Sequence, residues 1–453
     1  PMGAADGELL IKFVPEMSDI LDQTLTRVGG VATRSGIPST DEVLNILGAY
    51  HFERVFPVDP KTEKRTREAG MHLWYIVRFD KDADLKEAAR QLRKLGEISK
   101  IQSNPTLQRA YDPKKKTLYL SASDLQHVTR TSEGLTFNDP GLKHQWHYRN
   151  AGNYDFVKKD RAEAIAGADV NCGEAWELCK GDPSIIVAVL DEGVMWSHPD
   201  LIANMWTNEA EEIGSTEDKD GNGYKGDRYG YNFVKNTGVI SWTSADDTGH
   251  GTHVAGTIAA ENGNSIGVSG IAGGDGNTGS GVKIMTCQLF DGQYGATLAA
   301  EAKAIKYAAD NGAVVLQCSW GYNSPDANEA LGYVPGPKNE QDWENQYPLE
   351  KEALDYFIHN AGSPNGVIDG GLAIFASGNE YAPSSSFPAG YSKCISVSAI
   401  AADYTPSSYT NYGAEITLCA PGGDGDYYGT PGVADDEFAW EGKTQGLILS
   451  TAI

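Results

Sequence analysis

Hydrophobic positions follow two different rhythms along the chain, and the change comes near residue 110. Up to that point, short apolar runs alternate with amphipathic stretches. Leu9-Leu10-Ile11-Lys12-Phe13-Val14 predicts a strand, and His72-Leu73-Trp74-Tyr75-Ile76-Val77-Arg78-Phe79 a second one. Ser18 to Thr26 and Thr40 to Leu47 read as helices, with a shorter strand over His51 to Phe56. Leu85, Ala88, Leu92 and Leu95 lie on one face of an amphipathic helix, and Ile98 to Gln102 closes the unit as a strand. The order β-α-β-β-α-β predicts a small α+β domain of split βαβ type over residues 1–110. It holds no cluster of catalytic residue types.

Residues 111–140, with Lys114-Lys115-Lys116 and a Ser/Thr-rich stretch, read as an exposed connector. From 141 to 453 strand and helix patterns alternate. Ile185 to Leu190 is apolar throughout, as expected of a strand covered on both faces of a parallel sheet. Val282 to Leu289, Ala313 to Gln317, Leu372 to Ala376 and Cys394 to Ile400 share that style. Leu298, Ala302, Ile305 and Ala309 line one face of an intervening helix. The predicted fold is therefore α/β, a mostly parallel sheet flanked by helices, with functional residues at the carboxyl ends of its strands. Residues 323–346 and 421–445, rich in Gly, Pro, Asp and Asn, read as surface loops.

Composition narrows the function. A net charge of -25 and a pI near 4.7 repel polyphosphate, which excludes a nucleic-acid partner. No apolar run approaches the ~20 residues of a membrane span. The chain opens Pro1-Met2-Gly3 without an initiator methionine at position 1, so the absence of a targeting segment is uninformative. Cys172, Cys179, Cys287, Cys318, Cys394 and Cys419 include no C-x-x-C pair, which argues against zinc and leaves the redox compartment open.

Candidate chemistry gathers on the expected rim. One strand ends Leu190-Asp191-Glu192-Gly193, another Gln317-Cys318-Ser319-Trp320-Gly321, a third Ala376-Ser377-Gly378-Asn379-Glu380. Between them, Asp247 to Thr257 sets His250 at the mouth of a helix of small residues, where Gly251 and Gly256 let backbones approach closely. Such a histidine can offer one ring nitrogen to a cleft and the other to a carboxylate, the arrangement of a general base. Alone, such a histidine is more often a hydrogen-bonded core residue. Asp218-Lys219-Asp220-Gly221-Asn222-Gly223-Tyr224, with Asp227 behind it, has the alternating oxygen ligands and glycine of a calcium loop, although Tyr229 stands where a glutamate belongs. A solvated acidic turn is the alternative.

These segments resemble the subtilisin-like serine proteases, peptidase family S8. Val187 to Val194, continuing through Ser197-His198-Pro199-Asp200-Leu201, is similar to that family's aspartate motif, and His250-Gly251-Thr252-His253-Val254-Ala255-Gly256-Thr257 nearly matches its histidine motif verbatim. Ser319-Trp320-Gly321 resembles the edge that pairs with substrate, and Ser377-Gly378-Asn379 the oxyanion-hole segment. The resemblance covers residues 141–453, while residues 8–110 look like the family's inhibitory propeptide. It implies a secreted or cell-envelope serine endopeptidase in proenzyme-like form, acting on polypeptides, with its own propeptide as intramolecular inhibitor. Asp191 would orient His250 as base, and Asn379 would donate to the oxyanion. Ser319, Gly321, Ser377 and Gly378 would bind extended peptide, with Trp320 walling the first specificity pocket. A structural calcium is implied at Asp200, Asn264, Ile266 and Val268, ahead of the loop of Asp218, Asp220, Asn222 and Asp227.

Two departures from the family stand out. Glu192 replaces a usual Thr or Ser and would raise the pKa of His250 if it faces inward. The nucleophile motif Gly-Thr-Ser-x-Ala does not occur, and Ser450, in a strand-like run, reads as structural. The expectation is a protease whose serine lies in a C-terminal segment or companion fragment. The alternative is a peptide-binding pseudoprotease.

Overall fold

Two sheets organise the molecule, one on each side of residue 110. The computed structural model describes residues 4–27, 31–110, 135–152, 164–362, 367–424 and 448–453. The lysine-rich connector at 114–116 and most of the 421–445 insertion fall outside these residues.

In the first unit β1 (Ala4–Phe13), α1 (Ser18–Arg27), β2 (Val31–Ala32), α2 (Pro38–Ile46), β3 (Ala49–Arg54), α3 (Glu63–Glu68), β4 (Trp74–Phe79), α4 (Leu85–Leu92) and β5 (Ile98–Pro105) follow one another. The sheet order is β2-β3-β4-β1-β5, antiparallel throughout. Both faces of the sheet are used. Leu9, Ile11 and Phe13 pack with Leu21, Phe52, Tyr75 and Leu92 under the unit's own helices. Leu10, Trp74 and Ile76 instead join the core of the larger unit. Burial on two faces explains why Leu9 to Phe13 reads as a nearly continuous apolar run. Sequence reading missed β2, which has only two residues, and α3, whose Glu-Lys-Arg-Thr-Arg-Glu holds no apolar residue to set a period.

The second unit contains α5 (Cys172–Leu178), β6 (Ile186–Glu192), β7 (Gly230–Asn232), α6 (His250–Ala259), β8 (Lys283–Asp291), β9 (Tyr294–Gly295), α7 (Leu298–Asp310), β10 (Val315–Cys318), α8 (Glu340–Gln346), α9 (Pro348–Asn360), β11 (Leu372–Ala376), β12 (Ile395–Ile400) and β13 (Leu418–Pro421). Its sheet runs β13-β12-β11-β10-β6-β8-β7, parallel throughout, with β9 added antiparallel to β8. This is the mostly parallel α/β sheet that the alternating pattern predicts. Part of the loop expected at 323–346 is helical instead, because Trp343 on α8 is fully buried against Phe387 and Tyr391. β6 lies between β8 and β10, so successive crossovers leave it on opposite sides and open a crevice at its carboxyl end. Asp191 sits there.

Candidate active site

β6 delivers Asp191, 1% exposed, to the amino end of α6, where His250 is the first helical residue. His250 Nδ1 lies 2.7 and 2.9 Å from the two carboxylate oxygens of Asp191. Burial pulls the imidazole pKa down, but the charge and hydrogen bond of Asp191 outweigh it and raise the value above 6.5. Glu192 adds to that rise, as expected of a carboxylate facing inward, and Arg109 opposes it. The His250 side chain stays 28% exposed, so its far nitrogen can reach the cleft.

Glu192 has a second task that the sequence did not reveal. Its Oε2 accepts the backbone N–H groups of Thr248, Gly249 and His250 at 3.0, 3.0 and 3.2 Å, capping α6. A carboxylate at a helix amino terminus satisfies orphan donors and complements the helix dipole. Gly251 is required alongside, because a Cβ there would come within 2.2 Å of the Glu192 carbonyl.

The chain following β5 enters this crevice. Leu107 donates its N–H to the Ala296 carbonyl at 2.8 Å, and Thr106 bridges Thr297. A Cβ on Gly295 would approach the Leu107 carbonyl to 2.1 Å. Three residues on, Asn379 Nδ2 lies 3.4 Å from the Ala110 carbonyl oxygen. Asn379 is held by its neighbours: Asn411 donates to the Ser377 carbonyl at 3.0 Å and to Glu380 at 2.6 Å, and Gly378 adopts φ +113°, which suits only glycine. The pairing segment 294–297, Glu380 and Asn411 escaped sequence reading, although Gly295 beside a strand end was a signal for close backbone approach.

Several expected site residues have partners of their own. Trp320 is 3% exposed, packs edge-on against Phe375, and donates Nε1–H to the Leu190 carbonyl at 2.9 Å. A buried indole needs such a partner, and the carbonyl at the end of β6 provides it. Among the described residues, Ser319 and Gly321 make no hydrogen bond to the 106–110 tail; Ser319 instead receives Gln317 Nε2. Ser450 donates its hydroxyl to the His253 carbonyl at 2.7 Å on α6.

The structure gathers the residues of both cation candidates. Asp200, fully buried, accepts Asn264 Nδ2 at 2.8 Å and the Val268 N–H at 2.9 Å, while Ile266 N–H occupies Asn264 Oδ1. Burial pushes Asp200 up to about 7. Asp200, Asn264, Ile266 and Val268, the residues expected to hold a calcium, are thus brought together at one place. The acidic loop forms a second cluster of oxygen ligands. Carboxylate oxygens of Glu211, Asp218 and Asp220 lie within 4.8 Å of one another. Asp227 lies outside that cluster: it accepts from Tyr307, Asn222 and Asn208 and braces the loop from behind. Glu211, nine residues before Asp220, was not foreseen.

Comparisons with known proteins agree with this geometry. The subtilase family profile matches residues 182–450. Halolysin of Haloferax mediterranei is 33% identical over 257 residues, 57% of this chain and 38% of that protein. Thermitase of Thermoactinomyces vulgaris is 28% identical over 253 residues, 56% of this chain and 68% of that protein. Among solved structures, the epidermin leader peptide processing serine protease of Staphylococcus aureus superposes with a TM-score of 0.53 at 18% identity, covering 99% of this chain and 82% of that one. Fervidolysin from Fervidobacterium pennivorans gives 0.50 at 20%, covering 93% and 47%. The chain spans 38% of the length of each of the two halophile proteases it matches, halolysin and the extracellular serine protease Nep of Natrialba magadii.

Proposed function

Because the chain belongs to the subtilase family, we propose that it is the proenzyme-like part of a secreted serine endopeptidase, with residues 1–110 as an intramolecular inhibitor and 141–453 as the catalytic unit. One observation carries the reading: Asp191, His250 and Asn379 converge on a chain segment whose carbonyl at Ala110 faces the Asn379 amide. In this mechanism His250, its tautomer set by Asp191, takes the proton of a serine hydroxyl through Nε2. In the family that serine stands in a Gly-Thr-Ser-x-Ala motif. The Asn379 amide then stabilises the oxyanion, an interaction worth roughly 3 to 4 kcal/mol. The 106–110 tail occupies the cleft as a product would, which supports the inhibitory role of the unit before it.

Extracellular placement rests on relatives named extracellular proteases, and no helix among the described residues is long and apolar enough to cross a membrane. Glu211, Asp218 and Asp220 would hold a structural calcium, whose charge would offset three crowded carboxylates. Fluorophosphonate labelling of the complete protein tests the catalytic reading. Labelling that depends on His250 supports it, and labelling unchanged in His250→Ala refutes it.

A further inference from the structure

We propose that the cleft selects a basic side chain, arginine above all, at the residue preceding the one whose carbonyl meets Asn379, with Glu192 and Asp247 as the specificity-determining pair. The inference deepens the peptidase reading and rests on it. Arg109 holds that position in the bound tail. Its side chain is 7% exposed, and its Nε lies 3.1 Å from Glu192 Oε1, an ion pair rather than an aligned hydrogen bond. Nη2 lies 3.4 Å from Asp247 Oδ1, Nη1 donates to the Gly292 carbonyl, and the guanidinium stands 5.6 Å over the Phe290 ring.

The two carboxylates make the pocket selective. Glu192 and Asp247 side chains are 1% and 2% exposed, and both are fixed from behind by backbone N–H groups: those of 248–250 for Glu192, and Ser244 and Gly292 for Asp247. Neither carboxylate can swing out to water, so the negative field is built into the wall. A planar, weakly hydrated guanidinium can reach two carboxylates and a carbonyl while stacking on an aromatic ring. A neutral side chain would leave the buried charges without their cation, and an acidic one would add a third negative charge. The neighbouring positions point to the rest of the preferred sequence: Leu107 is 4% exposed, Gln108 is exposed, and Ala110 is small. The substrate class is a polypeptide carrying Leu-x-Arg followed by a small residue, cut after that residue.

The test compares fluorogenic Thr-Leu-Gln-Arg-Ala with the same peptide bearing Ala or Glu in place of Arg, using the complete protein. A preference for Arg of about 30-fold in kcat/KM, carried by KM and shrinking to a few-fold in Asp247→Asn, is expected from loss of one buried ionic partner. Equal rates on all three peptides overturn the subsite while leaving the peptidase intact. If no peptide is cleaved, the peptidase reading fails separately, and hydrogen exchange in the intact chain decides the subsite. Exchange of the Leu107 amide about tenfold faster in Arg109→Ala, with partial recovery in Arg109→Lys, supports it, and unchanged exchange refutes it.

Discussion

Glu352→Gln should loosen the N-terminal unit from the larger one. Trp74 on β4, Lys12 on β1 and Lys100 on β5 form a cross-strand row, since Lys12 is registered with both. A single carboxylate on α9 receives all three: Trp74 Nε1 at 2.7 Å, Lys12 Nζ at 2.8 Å and Lys100 Nζ at 2.8 Å. Its side chain is 17% exposed, as is the Lys12 side chain at 16%, whereas Lys100 is 38% exposed. Charge-assisted bonds of this kind contribute about 1.5–3 kcal/mol each, and the exposed Lys100 contact under about 1. An amide keeps one acceptor but leaves two lysines without their counter-charge. The net loss is about 2–4 kcal/mol, or roughly 30- to 1,000-fold in the opening equilibrium. Native-state hydrogen exchange of β1 and β4 amides reads this directly.

The pH dependence of Glu352 supplies a second check. Burial tends to raise its pKa, but Lys12 and the hydrogen bonds hold it below its ordinary 4.5. Its contribution is therefore fully present above pH ~4.5 and is lost as pH falls through the lowered folded value. Wild-type protection should weaken on acidification with a component missing from Glu352→Gln. A change at pH 7 below about 0.5 kcal/mol, the range of an ordinary surface substitution, would refute the reasoning.

Three other expectations follow from buried groups. Asp191→Asn should lower kcat by about 10⁴-fold and move the acid limb of the pH–rate profile downward, because the carboxylate that raises His250 is gone; an unmoved limb counts against the pairing. Glu301 on α7 and Glu350 on α9 are both fully buried, and burial drives their titration well above 4.5. Their stabilising effect is present at low pH and lost as pH rises through the raised values, so Glu301→Gln should flatten the decline in Tm between pH 5 and 8 and gain about 1–3 kcal/mol at the upper end. Millimolar calcium at about a hundred times its Kd should stabilise the wild type by about 2.7 kcal/mol but not Asp218→Asn with Asp220→Asn, a difference that calorimetry with and without chelator would detect.

Much of this arrangement is local and hence legible in the chain. A continuous apolar run marks β6, and periodicity marks α4 and α7, because burial on one or two faces leaves its signature within a few residues. Asp191, His250 and Asn379 stand at strand or helix ends, where a parallel sheet always gathers chemistry. What the sequence could not decide is which distant groups meet. Nothing near Trp320 in the chain shows that the carbonyl of Leu190, 130 positions away, takes its indole N–H. Glu211 and Asp218 are close in sequence, yet only the folding of the loop brings their oxygens together with Asp220. Arg109 belongs to one unit while Glu192 and Asp247 belong to the other, and their encounter depends on two sheets docking through a shared core. Side-chain pairs of this kind have no period and no fixed spacing, and tertiary packing alone selects them.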